Sequence, residues 1–290
     1  MATINNILLV VNPISGDLDK SDLIDQTEQI CYKKKATLKI YKTSGNNDVN
    51  DIQTLVKDFQ PDRVFIAGGD GTIKMVVEAL HTFEFLTYAI LPAGSANGLA
   101  TDLKIPQQLN EALEVAFQAA KKLDIITIND QIGLHISDIG MNAELIEHYE
   151  SSSIRGKLGY AIQAIPTLSN SDAPYHFTIE TDHGIIERDA VMIAIANARA
   201  YGNGAIVNPI GKLDDGKFEV LIFKSLHILK ILETLVDKAP LDNDFIEIIS
   251  TTKATIACTT TVSFQIDGEY CGKLNKITAA TTNYQIKIAY

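Results

Sequence analysis

The chain of 290 residues has room for about two domains at ~100–200 residues each. With 46% hydrophobic and 21% charged residues its composition is ordinary for a globular protein and excludes a disordered chain. A net charge of -11, from 25 basic against 36 acidic residues, excludes a general attraction for nucleic acid or for anionic lipid.

No run approaches the ~18 apolar residues of a membrane span, so no transmembrane segment is expected. No basic region precedes the apolar run near the N-terminus, which argues against a signal peptide. Cys31, Cys258 and Cys271 lack metal-ligand spacing and read as reduced thiols, which points to a cytoplasmic chain. Nor do the histidines show paired ligand spacing.

Up to about residue 124, apolar runs alternate with amphipathic stretches. Ile7 to Val11 predicts a strand, followed by the turn signal Asn12-Pro13-Ile14-Ser15-Gly16. Leu23, Ile24, Ile30 and Cys31 share a helical face. Lys33-Lys34-Lys35 reads as the solvated end of that helix, favourably placed against its dipole. Leu38 to Tyr41 predicts a second strand, and Ile52, Leu55, Val56 and Phe59 a second helix. Arg63 to Ala67 is a third strand, and Ile73, Val76, Val77 and Leu80 match the helix spacing position for position. Tyr88 to Leu91 is a fourth strand, and Leu109, Ala112, Leu113, Ala116 and Phe117 mark a last helix. Such alternation builds a parallel sheet covered by helices, so residues 1–124 are expected to form an α/β domain.

Past Asp124 the texture changes to β-branched and Thr-rich runs: Ile125–Ile128, Tyr175–Glu180, Ala190–Ala196, Phe218–Phe223, Thr251–Ala257, Val262–Ile266 and Ile277–Tyr290. Turn signals containing Asp and Gly at 182–184, 214–216 and 267–268 separate them. Residues 125–290 are therefore expected to form an antiparallel, sandwich-like β domain, interrupted by helical patches near 142–168 and 225–237. No linker is evident, so an active site in a cleft between the domains is the expectation.

The stretch Gly68-Gly69-Asp70-Gly71-Thr72 follows a strand and opens a helix. Backbone N–H groups and a helix start at the carboxyl edge of a parallel sheet suit phosphate. Asp70 fits there if a cation bridges it to phosphates or if it accepts from ligand hydroxyls; the alternative is a cap in a tight turn. Leu91-Pro92-Ala93-Gly94-Ser95-Ala96-Asn97-Gly98 repeats the geometry, and Asn12 to Gly16 lies on the same edge. One such loop is plain turn chemistry, but three on one edge make a phosphate cradle.

These three loops resemble, in order and spacing, those of the diacylglycerol kinase catalytic family, which includes bacterial lipid kinases and the sphingosine and ceramide kinases. Ala196 to Gly204, Asn208-Pro209, Lys212 to Gly216 and Asp267-Gly268-Glu269 resemble its later segments. The resemblance implies an ATP-dependent lipid kinase using Mg²⁺, with a nucleotide-binding domain followed by a β-rich lipid-substrate domain. Asn12, Pro13, Ser15, Gly16, Thr43, Gly68, Gly69, Asp70, Gly71, Thr72, Gly94, Ser95 and Asn97 would line the ATP site. Asp267 or Glu269 would take the proton from a lipid hydroxyl, with Asp70 acting through metal. Without the resemblance, Asp267-Gly268 is a hairpin turn. Asp215 with the carbonyls of Lys212 and Lys217 would hold a structural Mg²⁺, where the plain reading is again a turn.

Two departures stand out. Lys74-Met75 replaces the family's Asn-Glu after the second loop, and Lys74 reads as a solvated helix residue. Gly98 replaces the Asp of bacterial diacylglycerol kinases, as in the sphingosine and ceramide kinase form. Arg155, Lys157 and Lys212 are candidate head-group contacts or ordinary surface charges. A lipid at the inner membrane surface is the expected partner, and a homodimer is allowed. The rival readings are an NAD kinase-like enzyme and a catalytically silent nucleotide- or lipid-binding protein.

Overall fold

Continuous apolar runs become buried strands, and the first of them, Asn6–Val11 (β1), is fully buried from Ile7 onward. The computed structural model describes residues 4–16, 19–143, 173–200, 206–225 and 245–290. Two units divide the chain: Met1–Leu123 with Asn283–Tyr290, and Asp124–Thr282. The C-terminal segment thus belongs to the first unit, where the sequence reading set a single boundary at 124.

In the first unit, Lys20–Lys34 forms α1, with Asp19 accepting from Ser21 N as its cap. Its buried row is Leu23, Thr27 and Cys31, whereas Ile24 and Ile30 are half-buried. The i, i+4, i+8 row faces the sheet, and Thr27 satisfies its hydroxyl by donating to the Leu23 carbonyl at 2.7 Å. Lys33 and Lys34 do end this helix, and Lys34 lies 3.6 Å from Glu114. There follow β2 (Thr37–Lys42), α2 (Asp48–Phe59), β3 (Arg63–Gly68), α3 (Asp70–Leu80), β4 (Thr87–Pro92), α4 (Gly98–Asp102) and α5 (Leu109–Ala116). The parallel sheet has the order β2-β1-β3-β4, and Lys287–Ala289 extends it beyond β4.

Helix α3 buries Ile73, Val76, Val77 and Leu80 as the spacing predicts. It also buries Lys74, which is only 5% exposed, against the expectation of a solvated residue. The helix packs on both β3 and α2, so its covered arc is wider than the apolar stripe alone indicates.

The second unit begins within β5 (Ala120–Ile128) and continues through β6 (Gln131–Gly133), β7 (Ile136–Gly140), β8 (Tyr175–Thr181), β9 (Gly184–Ala190), β10 (Met192–Ala196), β11 (Phe218–Phe223), β12 (Ile246–Thr251), β13 (Lys253–Ile266) and β14 (Glu269–Ala289). The sequence reading lacks β6, β7, β9 and β12. Strand β7 hides behind the buried polar pair Ser137 and Asp138, and β9 is mostly exposed. The runs expected at Thr251–Ala257 and Val262–Ile266 fall largely in one strand, β13, broken by a register shift between Ala257 and Val262. Its first part pairs with β8 and its last part with β7. Both parts cover one core, so Phe177, Ile179, Ile256 and Ile277 pack with Ile139, Ile195, Val220 and Phe264, while Ile136, Met192, Leu221 and Phe245 belong to a second buried cluster. The expected helical patches near 142–168 and 225–237 lie almost wholly outside the described residues.

Phe177 is fully buried in this core. Phe177→Ala is expected to lower unfolding free energy by about 3–5 kcal/mol, read from the midpoint of urea denaturation.

Candidate active site

Parallel strands deliver their carboxyl ends to one edge of a sheet, and β1, β3 and β4 each end there in a glycine-bearing loop. The Asn12 N–H donates to the Ala67 carbonyl, and its side-chain amide donates to Thr72 Oγ1 at 3.0 Å. Asn12 Oδ1 accepts from Ile14 N at 3.1 Å, the Asx turn that closes the first loop. Ser15 Oγ lies 3.1 Å from the Asn12 carbonyl and 3.1 Å from that of Ala93. The Ala93 N–H donates to Gly68 O, and Gly94 N donates to Asn97 Oδ1 at 2.8 Å. Three loops the sequence reading assembled from spacing alone therefore touch one another.

Glycine is required where they touch. A Cβ on Gly94 would stand 2.3 Å from Gly69 Cα, and one on Gly68 would stand 2.5 Å from the Thr72 Cβ. Gly16 has φ +57, and a Cβ there would stand 2.8 Å from the Ala93 carbonyl oxygen. At Gly94 and Gly16 backbone packs on backbone, whereas Gly68 makes room for the Thr72 side chain.

Asp70 opens α3, yet its carboxylate caps a different helix. Gly98 N donates to one oxygen at 2.8 Å and Leu99 N to the other at 3.0 Å, at the start of α4. In this structure its partners are therefore peptide N–H groups of the third loop.

Thr43 follows β2 on the same edge, its N–H donating to the Val11 carbonyl at 2.8 Å. The turn after it is closed by Asp48, which accepts from Ser44 N, Gly45 N and the Tyr41 hydroxyl. Burial pushes the Asp48 carboxyl up, but these donors outweigh it and hold it below its ordinary value. The same burial and carboxylate contacts push the Tyr41 hydroxyl well above its ordinary value.

Sequence reasoning missed Lys20. It is 7% exposed, and its ammonium donates to the carbonyls of Ser15 at 2.7 Å and Ala93 at 3.1 Å. A signal existed: a cation at the first position of a helix opposes the helix dipole.

In the second unit, Asp267 and Gly268 form the two-residue hairpin turn between β13 and β14, with φ 52 and 90. The Asp267 carboxylate accepts from Leu134 N at 2.8 Å and His135 N at 2.9 Å, so both oxygens are oriented by peptide donors. Glu269 is exposed at the start of β14.

Asp215 is exposed and accepts from Lys217 N at 3.2 Å, closing its own turn. Lys212 and Lys217 are exposed as well. Asp124, a further residue the sequence reading passed over, accepts from Gly216 N at 2.6 Å and donates its own N–H to Leu213 O. Asn197 ties this loop to the Asp267 turn, donating to the carbonyls of Asp124 and Leu134. Asn208 donates to Glu219 Oε2 at 2.7 Å; burial pushes the Glu219 carboxyl up, and Asn208 partly offsets it. Among the described residues no three His, Cys, Asp or Glu side chains gather as a metal cluster. One carboxylate with peptide carbonyls is a different, all-oxygen donor set of the kind a hard cation takes. Residues 201–205 of the Gly-rich segment, and Arg155 and Lys157, lie outside the described residues.

Both halves of the chain match known protein families. The diacylglycerol kinase catalytic domain family matches residues 6–128, and the YegS C-terminal NAD kinase beta sandwich-like domain family matches residues 136–285. The diacylglycerol kinase of Bacillus subtilis is 27% identical over 282 residues, covering 92% of this chain and 90% of its own. A Chromohalobacter salexigens protein named "Probable lipid kinase YegS-like" is 28% identical over 219 residues, 72% of this chain and 70% of its own. In fold, a diacylglycerol kinase from Bacillus anthracis superposes with a TM-score of 0.75 at 20% identity, covering 100% of this chain and 98% of the other. An Archaeoglobus fulgidus NAD kinase, solved in complex with ATP, superposes with a TM-score of 0.54 at 11% identity, covering 98% of this chain and 93% of its own. With both family domains matched in order along its length, the chain belongs to the YegS-type lipid kinases of the diacylglycerol kinase catalytic family.

Proposed function

We propose that the protein transfers the γ-phosphate of ATP to a hydroxyl of diacylglycerol or a related or sphingoid lipid. The observation that carries this reading is the convergence of the loops at 12–16, 68–72 and 93–97, packed so closely that a Cβ on Gly94 would meet Gly69 Cα at 2.3 Å. Loops brought this close by glycine fit phosphate oxygens, which peptide N–H groups and helix starts receive. ATP when bound supplies the phosphoryl group, and Mg²⁺ neutralises charge on its oxygens.

The protein's own residues bind and orient. Asn12 and Thr72 hold each other, and Asp70 holds the start of α4, so these loops need no reorganisation to receive a ligand. Thr43, Ser95 and Asn97 line the nucleotide site in this reading. In the second unit Asp267, oriented by Leu134 N and His135 N, or Glu269 accepts the proton of the lipid hydroxyl. A bond forms between the lipid oxygen and the γ-phosphorus as the bond to the β,γ-bridging oxygen breaks. Asp215, with the carbonyls of Lys212 and Lys217, would hold a structural Mg²⁺ by hard oxygen chemistry. The acceptor places the enzyme peripherally at a membrane surface; among the described residues no helix is long and apolar enough to cross one.

The test is MgATP-dependent phosphate transfer in mixed micelles holding diacylglycerol, monoacylglycerol, sphingosine, ceramide or phosphatidylglycerol, with NAD as a soluble control. A labelled lipid is the expected product and selects the acceptor. Labelling of NAD alone would sink the lipid reading, and nucleotide binding without any transfer would make the protein a silent binder.

A further inference from the structure

Each pair of the three loops is joined by a side chain. The first and second are joined by the Asn12 amide on Thr72 Oγ1 at 3.0 Å. The second and third are joined by the Asp70 carboxylate on Gly98 N and Leu99 N. The first and third are joined by Lys20, whose ammonium reaches Ser15 O at 2.7 Å and Ala93 O at 3.1 Å, with Ser15 Oγ 3.1 Å from the same Ala93 oxygen. The first two ties use residues of the loop motifs alone. The third adds to Ser15 a residue from outside them, Lys20 at the start of α1.

Lys20 is only 7% exposed, and lysine is among the residues least often buried without cause. Its position is locally unfavourable twice over: an ammonium is drawn out of water, and it sits at the positive end of a helix. Folding accepts both costs at a place where two carbonyl oxygens turn toward one cation. A peptide carbonyl carries partial negative charge, and Ala93 and Ser15 belong to loops that pack against each other with little room. With their oxygens engaged by a charge-assisted donor, these carbonyls no longer oppose a polyanion, and the two loops are held at a fixed spacing.

We propose that Lys20 is a positioning residue that sets the affinity of the three loops for the phosphate chain of a nucleotide, acting through the Ser15 and Ala93 carbonyls. This rests on the reading of the same loops as a nucleotide site. The role is specific to phosphate: a nucleoside without phosphates gains nothing from carbonyl neutralisation, whereas a triphosphate does.

The test uses the full chain and four proteins: wild type, Lys20→Met, Lys20→Gln and Lys20→Arg. Binding of MgATP and of adenosine is measured by calorimetry, with thermal melting alongside. Lys20→Met is expected to weaken MgATP about tenfold to a hundredfold, the equivalent of one charged hydrogen-bond partnership. Adenosine affinity is expected to stay within about twofold, the sensitivity of the method being finer than a tenfold step. Lys20→Gln keeps a donor without the charge and is expected to fall between Met and wild type. Lys20→Arg keeps the charge and is expected to restore most of the affinity. In turnover the KM for ATP rises in the same proportion and the KM for lipid does not.

Equal losses for MgATP and adenosine would assign Lys20 to general stability and overturn the proposal. So would a Met or Gln variant that binds MgATP as tightly as wild type, or an Arg variant as weak as Met. Should the Met variant fail to fold, the Gln and Arg variants decide between the same outcomes. A wild-type protein that binds no MgATP overturns the kinase reading, an outcome separate from wild type and Lys20→Gln binding alike.

Discussion

Gly94→Ala is expected to reduce MgATP binding by about fivefold to a hundredfold, because the added methyl has nowhere to go. Its Cβ would lie 2.3 Å from Gly69 Cα and 2.9 Å from Gly69 N, both backbone atoms that cannot change rotamer. The second and third loops must then separate, and Ala93 N leaves the Gly68 carbonyl that it reaches at 3.1 Å. A barrier built from backbone cannot relax as a side chain does, so overpacking of about 1–3 kcal/mol falls directly on the loop geometry. Calorimetry with MgATP reads the affinity, and thermal melting reads the accompanying destabilisation. Gly184→Ala is the comparison: it is the first residue of β9, just after the turn from β8, with φ +116 and no atom within 4 Å of an added Cβ. That variant should lose about 1–2 kcal/mol of stability through backbone strain and leave nucleotide binding as it was.

Asp267→Ala is expected to lower lipid phosphorylation by about 10²–10⁴-fold, the usual contribution of a positioned proton acceptor. MgATP affinity should be unchanged, since the residue belongs to the second unit and its partners are Leu134 N and His135 N. Glu269→Gln separates the two candidates, because Glu269 is exposed and the substitution keeps the side chain's size while removing its carboxylate. If Glu269→Gln abolishes transfer while Asp267→Asn retains it, the base is Glu269 and Asp267 only shapes the turn. Asp267→Ala also removes the acceptor for two peptide N–H groups, so a loss of melting temperature accompanies the catalytic effect. A loss of stability with full kcat would leave Asp267 as a turn residue alone. These rates are read from labelled lipid in the micelle assay, at saturating ATP.

The sequence was most informative where a repeating pattern meets a one-sided environment. The Ile73, Val76, Val77 and Leu80 spacing can satisfy only one helix face, and that face is buried. The continuous apolar runs at β1, β3 and β4 fit only strands covered on both sides. From parallel strands and short connections it follows that the three glycine loops share an edge, so the cradle is legible in the sequence. The hairpin at Asp267-Gly268 was legible for the same reason: two φ values above zero need residues that tolerate them.

What the tertiary structure alone decided are the partners of the polar side chains. Asp70 reaches Gly98 N and Leu99 N, Lys20 reaches Ala93 O, and Asn197 reaches the Asp124 and Leu134 carbonyls, each across a long stretch of chain. Periodicity carries no information about such contacts, because a hydrogen bond depends on direction and distance and not on spacing along the chain. Burial of Lys74 escaped for a related reason, since a helix covered by both a sheet and a second helix hides positions outside its apolar stripe. Strands β7 and β9 escaped because buried polar residues and an exposed surface each erase the alternation that marks a strand. Local chemistry determined the elements and the loops; the fold determined which peptide groups each charged side chain would hold.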